Sequence, residues 1–189
     1  MEEFLDFMLQ FGHLNQQQLD LIAKKGEIIN LSTDDYFWEA GKQINYVGFT
    51  TKGVLRVYYY NNQGEEITRY FIEEHLLILY GHDIGSNYVP SEYVQAIENC
   101  ELVVFSKKNW RDISETIVGW EAIVQKIVAK QQREKLERRS PLIEQDAKTR
   151  YLEFMQKFPN LVNRIPLSYI ASYLGITQST LSRVRKSIG

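Results

Sequence analysis

The chain has 189 residues, of which 44% are hydrophobic and 24% charged, and its net charge is −2. That supports one large domain or two small ones, with real cores. No run of about 18 apolar residues is present, which excludes a membrane-spanning helix. The acidic start, Met1-Glu2-Glu3-Phe4, lacks a secretory pattern, so a cytoplasmic protein is expected. The single Cys100 excludes an internal disulfide, and also an iron–sulfur cluster held by four thiolates of one chain. There is no internal repeat and no low-complexity segment.

Residues 1 to 24 are predicted to be helical, broken near Gly12, with Asn15 capping the second piece. They carry packing residues and no chemistry. From 27 to 105 the pattern changes to short β-prone runs: 28–31, 36–38, 46–50, 54–60, 67–72, 93–97 and 102–105. Gly41, Gly53, Asn61-Asn62-Gln63-Gly64 and Gly85 punctuate them, and 61–64 is a hairpin turn by composition. Strands at this spacing predict a compact antiparallel sandwich or barrel.

From 107 to 139 the period is helical. Ile113, Ile117, Trp120, Val124, Ile127 and Gln131 are spaced four, three, four, three, four. The seam is heptad-like but short for an independent coiled coil. It fits either an amphipathic helix lying on the β domain or, the preferred reading, a helix pairing with its copy in a homodimer. Ser140-Pro141 then breaks the helix and marks a boundary between a domain of 1–140 and one of 141–189. Residues 142–158 read as a helix with Ala147, Tyr151, Leu152 and Met155 on one side, and 161–166 as a short extended piece.

The last stretch carries the chemistry. Ser168 is expected to cap one short helix, along which Ile170, Ala171 and Leu174 share a face. Gly175 supplies the left-handed stop. Thr177 caps a second helix, whose Leu181 and Val184 turn to the core. Its other side carries Gln178, Ser179, Ser182, Arg183 and Lys186, and residues 161–189 contain no Asp or Glu. A polar, cationic helix of this kind fits a DNA major groove.

Ile170-Ala171-Ser172-Tyr173-Leu174-Gly175-Ile176-Thr177 followed by Thr180-Leu181-Ser182-Arg183 resembles the helix-turn-helix of Crp/Fnr transcription regulators. The resemblance is strongest over the last thirty or so residues and extends more weakly over nearly the whole chain. It implies an α+β architecture: an N-terminal antiparallel β-roll of cyclic-nucleotide-binding, jelly-roll type, a long dimerisation helix, and a C-terminal winged-helix-type helix-turn-helix. Glu39-Ala40-Gly41 and Lys52-Gly53-Val54-Leu55-Arg56-Val57 sit where that roll has its acid–x–Gly and its Gly-initiated strand. The resemblance also implies a wing after the second helix. The chain reaches Gly189 just past that helix, so the wing is expected to be absent or truncated.

By the same resemblance Gln178, Ser179 and Arg183 would read base edges. Ser168, Tyr169, Thr177, Thr180, Ser182, Arg185 and Lys186 would hold phosphates. The family's nucleotide pocket needs a Gly-Glu pair and an Arg-Ser/Thr-Ala triplet. When the two are aligned on Tyr93-Val94-Gln95-Ala96, Pro90 falls at the Arg position and Glu92 at the Ala position, and only Ser91 is kept. Gly81-His82 and Gly85-Ser86 replace Gly-Glu poorly. Proline has no donor and Glu92 would repel a phosphate, so control by cyclic AMP or cyclic GMP is not expected.

Tyr58, Tyr59, Tyr60, Tyr70, Phe71, Tyr80 and Tyr88 are candidates for an aromatic pocket, or else ordinary strand residues. His13, His75 and His82 read as surface or hydrogen-bonded groups, and neither a cofactor nor a metal is expected. No Ser or Cys nucleophile has a supporting motif, so no enzymatic activity is expected. The expected partners are double-stranded DNA and a second copy of the chain, with RNA polymerase and an unidentified small-molecule effector as further candidates. The alternative is a small-molecule-binding β-roll module whose C-terminal helices serve protein–protein interaction.

Overall fold

The computed structural model describes residues 1–79, 89–138 and 146–188. Its chain opens with α1 (Glu2–Leu9) and α2 (Gln16–Lys25). Asn15 starts α2 through a reciprocal capping box. Its Oδ1 accepts from Gln18 N at 3.0 Å, and Gln18 Oε1 accepts from Asn15 N at 2.9 Å. Eight strands follow: β1 (Glu27–Leu31), β2 (Tyr36–Trp38), β3 (Tyr46–Lys52), β4 (Leu55–Tyr60), β5 (Glu66–Ile72), β6 (Leu77–Ile78), β7 (Tyr93–Ala96) and β8 (Cys100–Ser106). They form two four-stranded sheets, in the orders β1-β8-β3-β6 and β2-β7-β4-β5. The β1/β8, β3/β8, β3/β6 and β2/β7 pairs are antiparallel. All seven β-prone runs become strands. β6 escapes the sequence reading because two residues carry no period.

Contacts divide the chain into two compact units. The first is Met1–Val57 with Phe71–Gln132, and the second is Tyr58–Tyr70 with Arg133–Gly189. In the first unit, Ser106 caps α3 (Lys107–Thr116) by accepting from Asn109 N at 3.1 Å. Here the structure corrects the expectation of one helix from 107 to 139. α3 stops at Ile117, Gly119 turns the chain with φ +87°, and α4 (Trp120–Arg138) begins afresh. The heptad spacing runs unbroken across a break that only backbone geometry reveals.

The same seam is buried inside its own unit. Ile113, Ile117, Trp120 and Ile127 are at most 2% exposed and pack with Phe4, Phe49, Phe105 and Trp110, while Val124 is partly buried against them. Gln131 sets its amide against the backbone of Leu77 in β6; with the amide oriented so that its nitrogen faces the carbonyl, it donates to Leu77 O at 3.2 Å and accepts from Leu77 N at 2.8 Å. Ile113, Ile117, Trp120 and Ile127 therefore hold the helices on the roll, while Val124 and Gln131 keep part of their surface exposed. The stripe is real, but its occupant is the chain itself.

α2 and α3 are tied by Lys25 and Asp112, at 2.6 Å. The Lys25 hydrogen bond, foremost, holds the Asp112 carboxyl below its ordinary value of 3.8. A carboxyl lowered by folding contributes stability that is present above its unfolded pKa and lost as pH falls through the folded one. Asp112→Asn is therefore expected to lower the urea midpoint at neutral pH. The gap to the parent should close as the buffer is taken below the ordinary carboxylate range. A gap of the same size at all pH values would refute this ion-pair role.

The second unit holds the hairpin Tyr58–Tyr70, α5 (Ala147–Lys157), α6 (Leu167–Leu174) and α7 (Gln178–Ile188). Asp146 caps α5, its Oδ1 accepting from Thr149 N at 2.7 Å. The buried side of α5 is Tyr151 and Phe154, followed by Phe158, rather than Leu152, which is exposed. Phe154 and Phe158 both meet Tyr173 of α6, at ring-centroid distances of 5.7 and 5.8 Å. Residues 161–164 form turns rather than an extended piece, with Leu161 and Ile165 buried. The Ser140-Pro141 boundary and the expected helical turn at 142–145 lie outside the described residues.

Candidate nucleic-acid interface

α6 begins at Leu167 after Pro166, which holds the N-cap position at φ −53°, ψ 139°, and no side chain caps it. Ser168 thus sits exposed in the first turn and does not cap. Its expected capping role falls to the proline, which organises the turn through its carbonyl. That oxygen accepts from Tyr169 N at 3.0 Å and Ile170 N at 3.2 Å. Ile170, Ala171 and Leu174 are buried, as their spacing predicts.

Gly175 ends the helix at φ 66°, ψ 35°, in the left-handed region. Ile176 N then reaches back to Ala171 O at 3.0 Å and closes the turn. Arg150 of α5 completes it, donating from Nη1 to Leu174 O at 3.0 Å. A cation on the last carbonyls of a helix is favourable there. No local pattern marks Arg150, since the partner carbonyl is on another helix and 24 residues away. Arg150→Met is expected to keep the aliphatic stem but cost about 1–2 kcal/mol of stability through the lost charged hydrogen bond. An unchanged thermal midpoint would contradict it.

Thr177 caps α7 as the sequence predicts. Its Oγ1 accepts from Thr180 N at 3.2 Å and also lies 3.0 Å from Ser179 Oγ and 2.9 Å from Thr180 Oγ1. Arg183 Nη2 lies 3.4 Å from Thr180 Oγ1, which steers the guanidinium along the helix. Leu181 is fully buried, and Val184, expected in the core, is half-buried. Gln178, Ser179, Arg183, Arg185 and Lys186 lie on the helix surface, with Ser182 half-buried between them. By helical spacing Ser179, Ser182, Arg183 and Lys186 share the outward face, with Gln178 and Arg185 at its margin. The structure therefore gathers these residues on one side of a single helix, whose last turn is basic.

In the roll, Pro90 is buried and its carbonyl accepts from Gly41 N at 2.9 Å, while Glu92 is 7% exposed. Gln95 is also buried, with Nε2 3.3 Å from Asp34 O. Of the aromatic candidates, Tyr58 and Phe71 are core residues and Tyr60 is half exposed. Tyr80, Tyr88 and the stretch Gly81–Asn87, with His82, lie outside the described residues. His75 is exposed and pairs with Glu3 at 3.2 Å. Among the described residues no group of three His, Cys, Asp or Glu is placed to hold a metal ion, and no helix is long and apolar enough to cross a membrane.

This backbone arrangement matches solved structures over most of the chain. FixK2 from Bradyrhizobium japonicum matches with a TM-score of 0.73 at 16% identity, over 86% of this chain and 84% of that one. The c-di-GMP-responsive global regulator CLP of Xanthomonas campestris matches with a TM-score of 0.73 at 13% identity, over 92% and 91%. A transcriptional regulator of the crp/fnr family from Eubacterium rectale matches with a TM-score of 0.72 at 16% identity, over 93% and 83%.

The chain has the Crp/Fnr fold.

No family model and no curated protein matches the sequence. Within the Crp/Fnr fold, the polar face of α7 is that of the second helix of the helix-turn-helix.

Proposed function

We propose that the protein is a sequence-specific, DNA-binding transcription regulator that acts as a homodimer and is not controlled by cyclic AMP. The observation that carries this reading is the outward face of α7. It is polar and cationic, it is held on a buried Leu181, and it has no acid within the segment 161–189. In this reading Gln178, Ser179 and Arg183 contact base edges. Ser168, Tyr169, Thr177, Thr180, Ser182, Arg185 and Lys186 contact the backbone. The domain boundary we propose, between 1–140 and 141–189, is the place where a DNA-reading head would tilt.

One recognition helix covers too little for tight, specific binding, and two copies would read half-sites about one DNA turn apart. The buried seam does not serve this purpose, but the opposite face of α4 offers another. Ala122, Gln125, Ala129, Gln132 and Leu136 repeat a three-four spacing along α4 and all are exposed, Leu136 at 66%. This stripe is uncharged, and its two alanines permit close approach. A second copy of the chain is the occupant that supplies the same stripe in register. Ala129→Glu sets two carboxylates against each other across a two-fold axis. It is expected to weaken the dimer at least about tenfold in sedimentation equilibrium. A variant that stays dimeric at the parent's concentration would place the interface elsewhere.

Pro90 and Glu92, both buried where the family carries its phosphate-binding triplet, support independence from cyclic AMP. The deciding experiment is selection of bound sequences from a random duplex library without added ligand. A two-fold symmetric motif is expected. No motif, together with flat salt dependence of duplex binding, would instead favour a small-molecule-binding roll whose C-terminal helices recruit a protein.

A further inference from the structure

We propose that Ser172 latches the helix-turn-helix to the edge of strand β5 in an autoinhibited form of the protein, a reading that rests on α6 and α7 being the DNA reader. The Ser172 hydroxyl is used in both directions. It accepts from Thr68 N at 2.9 Å and donates to Glu66 O at 3.0 Å. Residues 66 and 68 present their backbone groups to the same side of the strand. β5 is the last strand of its sheet among the described residues, so this side is the one on which a further strand would add. One side chain on α6 takes that strand's place.

A second anchor holds the same hairpin. Lys135, near the end of α4, places Nζ 3.3 Å from the centre of the Tyr70 ring. The hairpin Tyr58–Tyr70 belongs to the same compact unit as the helix-turn-helix. Its two strands nevertheless run on without a break into Val57 and Phe71, which belong to the roll's unit. A change in those strands reaches Ser172 along the backbone itself.

The latch opposes DNA binding for a reason of position and charge. Ser172 lies four residues after Ser168, so both occupy the outward face of α6, beside Tyr169. That is the face assigned to the phosphates. The strand seated on it and its entry, residues 61–72, contain Glu65 and Glu66 with Arg69 as their one cation, and Lys135 lies over Tyr70. The Glu65 and Glu66 carboxylates are held in the hairpin by Asn61 Nδ2 at 2.9 Å and Tyr60 OH at 3.2 Å. A DNA backbone running along this face competes with the strand for the Ser172 side of α6. An event that withdraws β5 frees the Ser172 side of α6, and the apparent affinity rises with the fraction of unlatched molecules.

The test uses the full chain. Ser172→Ala removes both hydrogen bonds while favouring the helix, and its thermal midpoint checks that it is folded. It is expected to bind the selected duplex about fivefold to tenfold more tightly than the parent. In the free protein, the Thr68 amide should lose its protection from hydrogen exchange. Glu65→Gln with Glu66→Gln is expected to tighten binding as well, with a weaker dependence on salt. Equal or weaker binding by Ser172→Ala overturns the latch, as does an unchanged Thr68 exchange rate. If neither the parent nor any variant binds duplex DNA at low salt, the DNA-reading assignment falls and autoinhibition falls with it. The Thr68 exchange rate then separates a real contact without that role from no contact at all.

Discussion

Gly53→Ala is expected to destabilise the protein by about 3–5 kcal/mol, a large loss for one added methyl group. Two causes add. Gly53 has φ +92°, where a Cβ meets its own backbone. The added carbon would also lie 2.6 Å from Cys100 Sγ, 2.7 Å from Asn99 O and 2.8 Å from Cys100 Cα. Two of those three atoms are backbone at the entry to β8, a strand paired on both sides by β1 and β3, so neither can give way. The Gly53 N–H also donates to Glu74 Oε1 at 3.0 Å, which fixes the turn further. Urea unfolding of the purified variant measures the loss. A loss below about 1 kcal/mol would mean that the turn relaxes without disturbing β8.

Arg183→Ala is expected to weaken binding to the selected duplex about tenfold to a hundredfold and to relax one base preference. The guanidinium lies on the outward face of α7 and is steered by Thr180. A pre-oriented planar fork loses little freedom on pairing with guanine O6 and N7. Lys186→Ala provides the contrast. A phosphate contact should weaken all sequences alike and lower the slope of log affinity against log salt by about one. If Arg183→Ala leaves the ratio of specific to random affinity at the parent's value, α7 is not the reading helix. Thr180→Val then becomes informative on its own, since it removes the hydroxyl beside Arg183 and leaves the charge in place.

The sequence by itself determined the order of elements. β-branched and aromatic runs between glycines mark strands because alternate side chains must face a shared core, and each of the seven such runs became one. Asn15 and Thr177 declared helix starts because a short polar side chain serves orphan amides within three residues of itself. Gly175 declared a helix end because the backbone there needs a positive φ. All of these are local interactions, and they leave local marks.

Tertiary structure decided what those elements meet. The seam Ile113, Ile117, Trp120, Val124, Ile127 and Gln131 has the same period whether its occupant is a β-roll or a second helix, and only the packed core shows the roll. Gly119 interrupts that seam without disturbing its spacing. Pro166, not Ser168, holds the N-cap of α6, so no side chain there serves the first amides. Arg150 and Ser172 carry no signal in the chain at all. Their partners, Leu174 O, Glu66 O and Thr68 N, are backbone atoms. Every residue offers such atoms, so nothing in a sequence singles out the ones that folding will bring within reach.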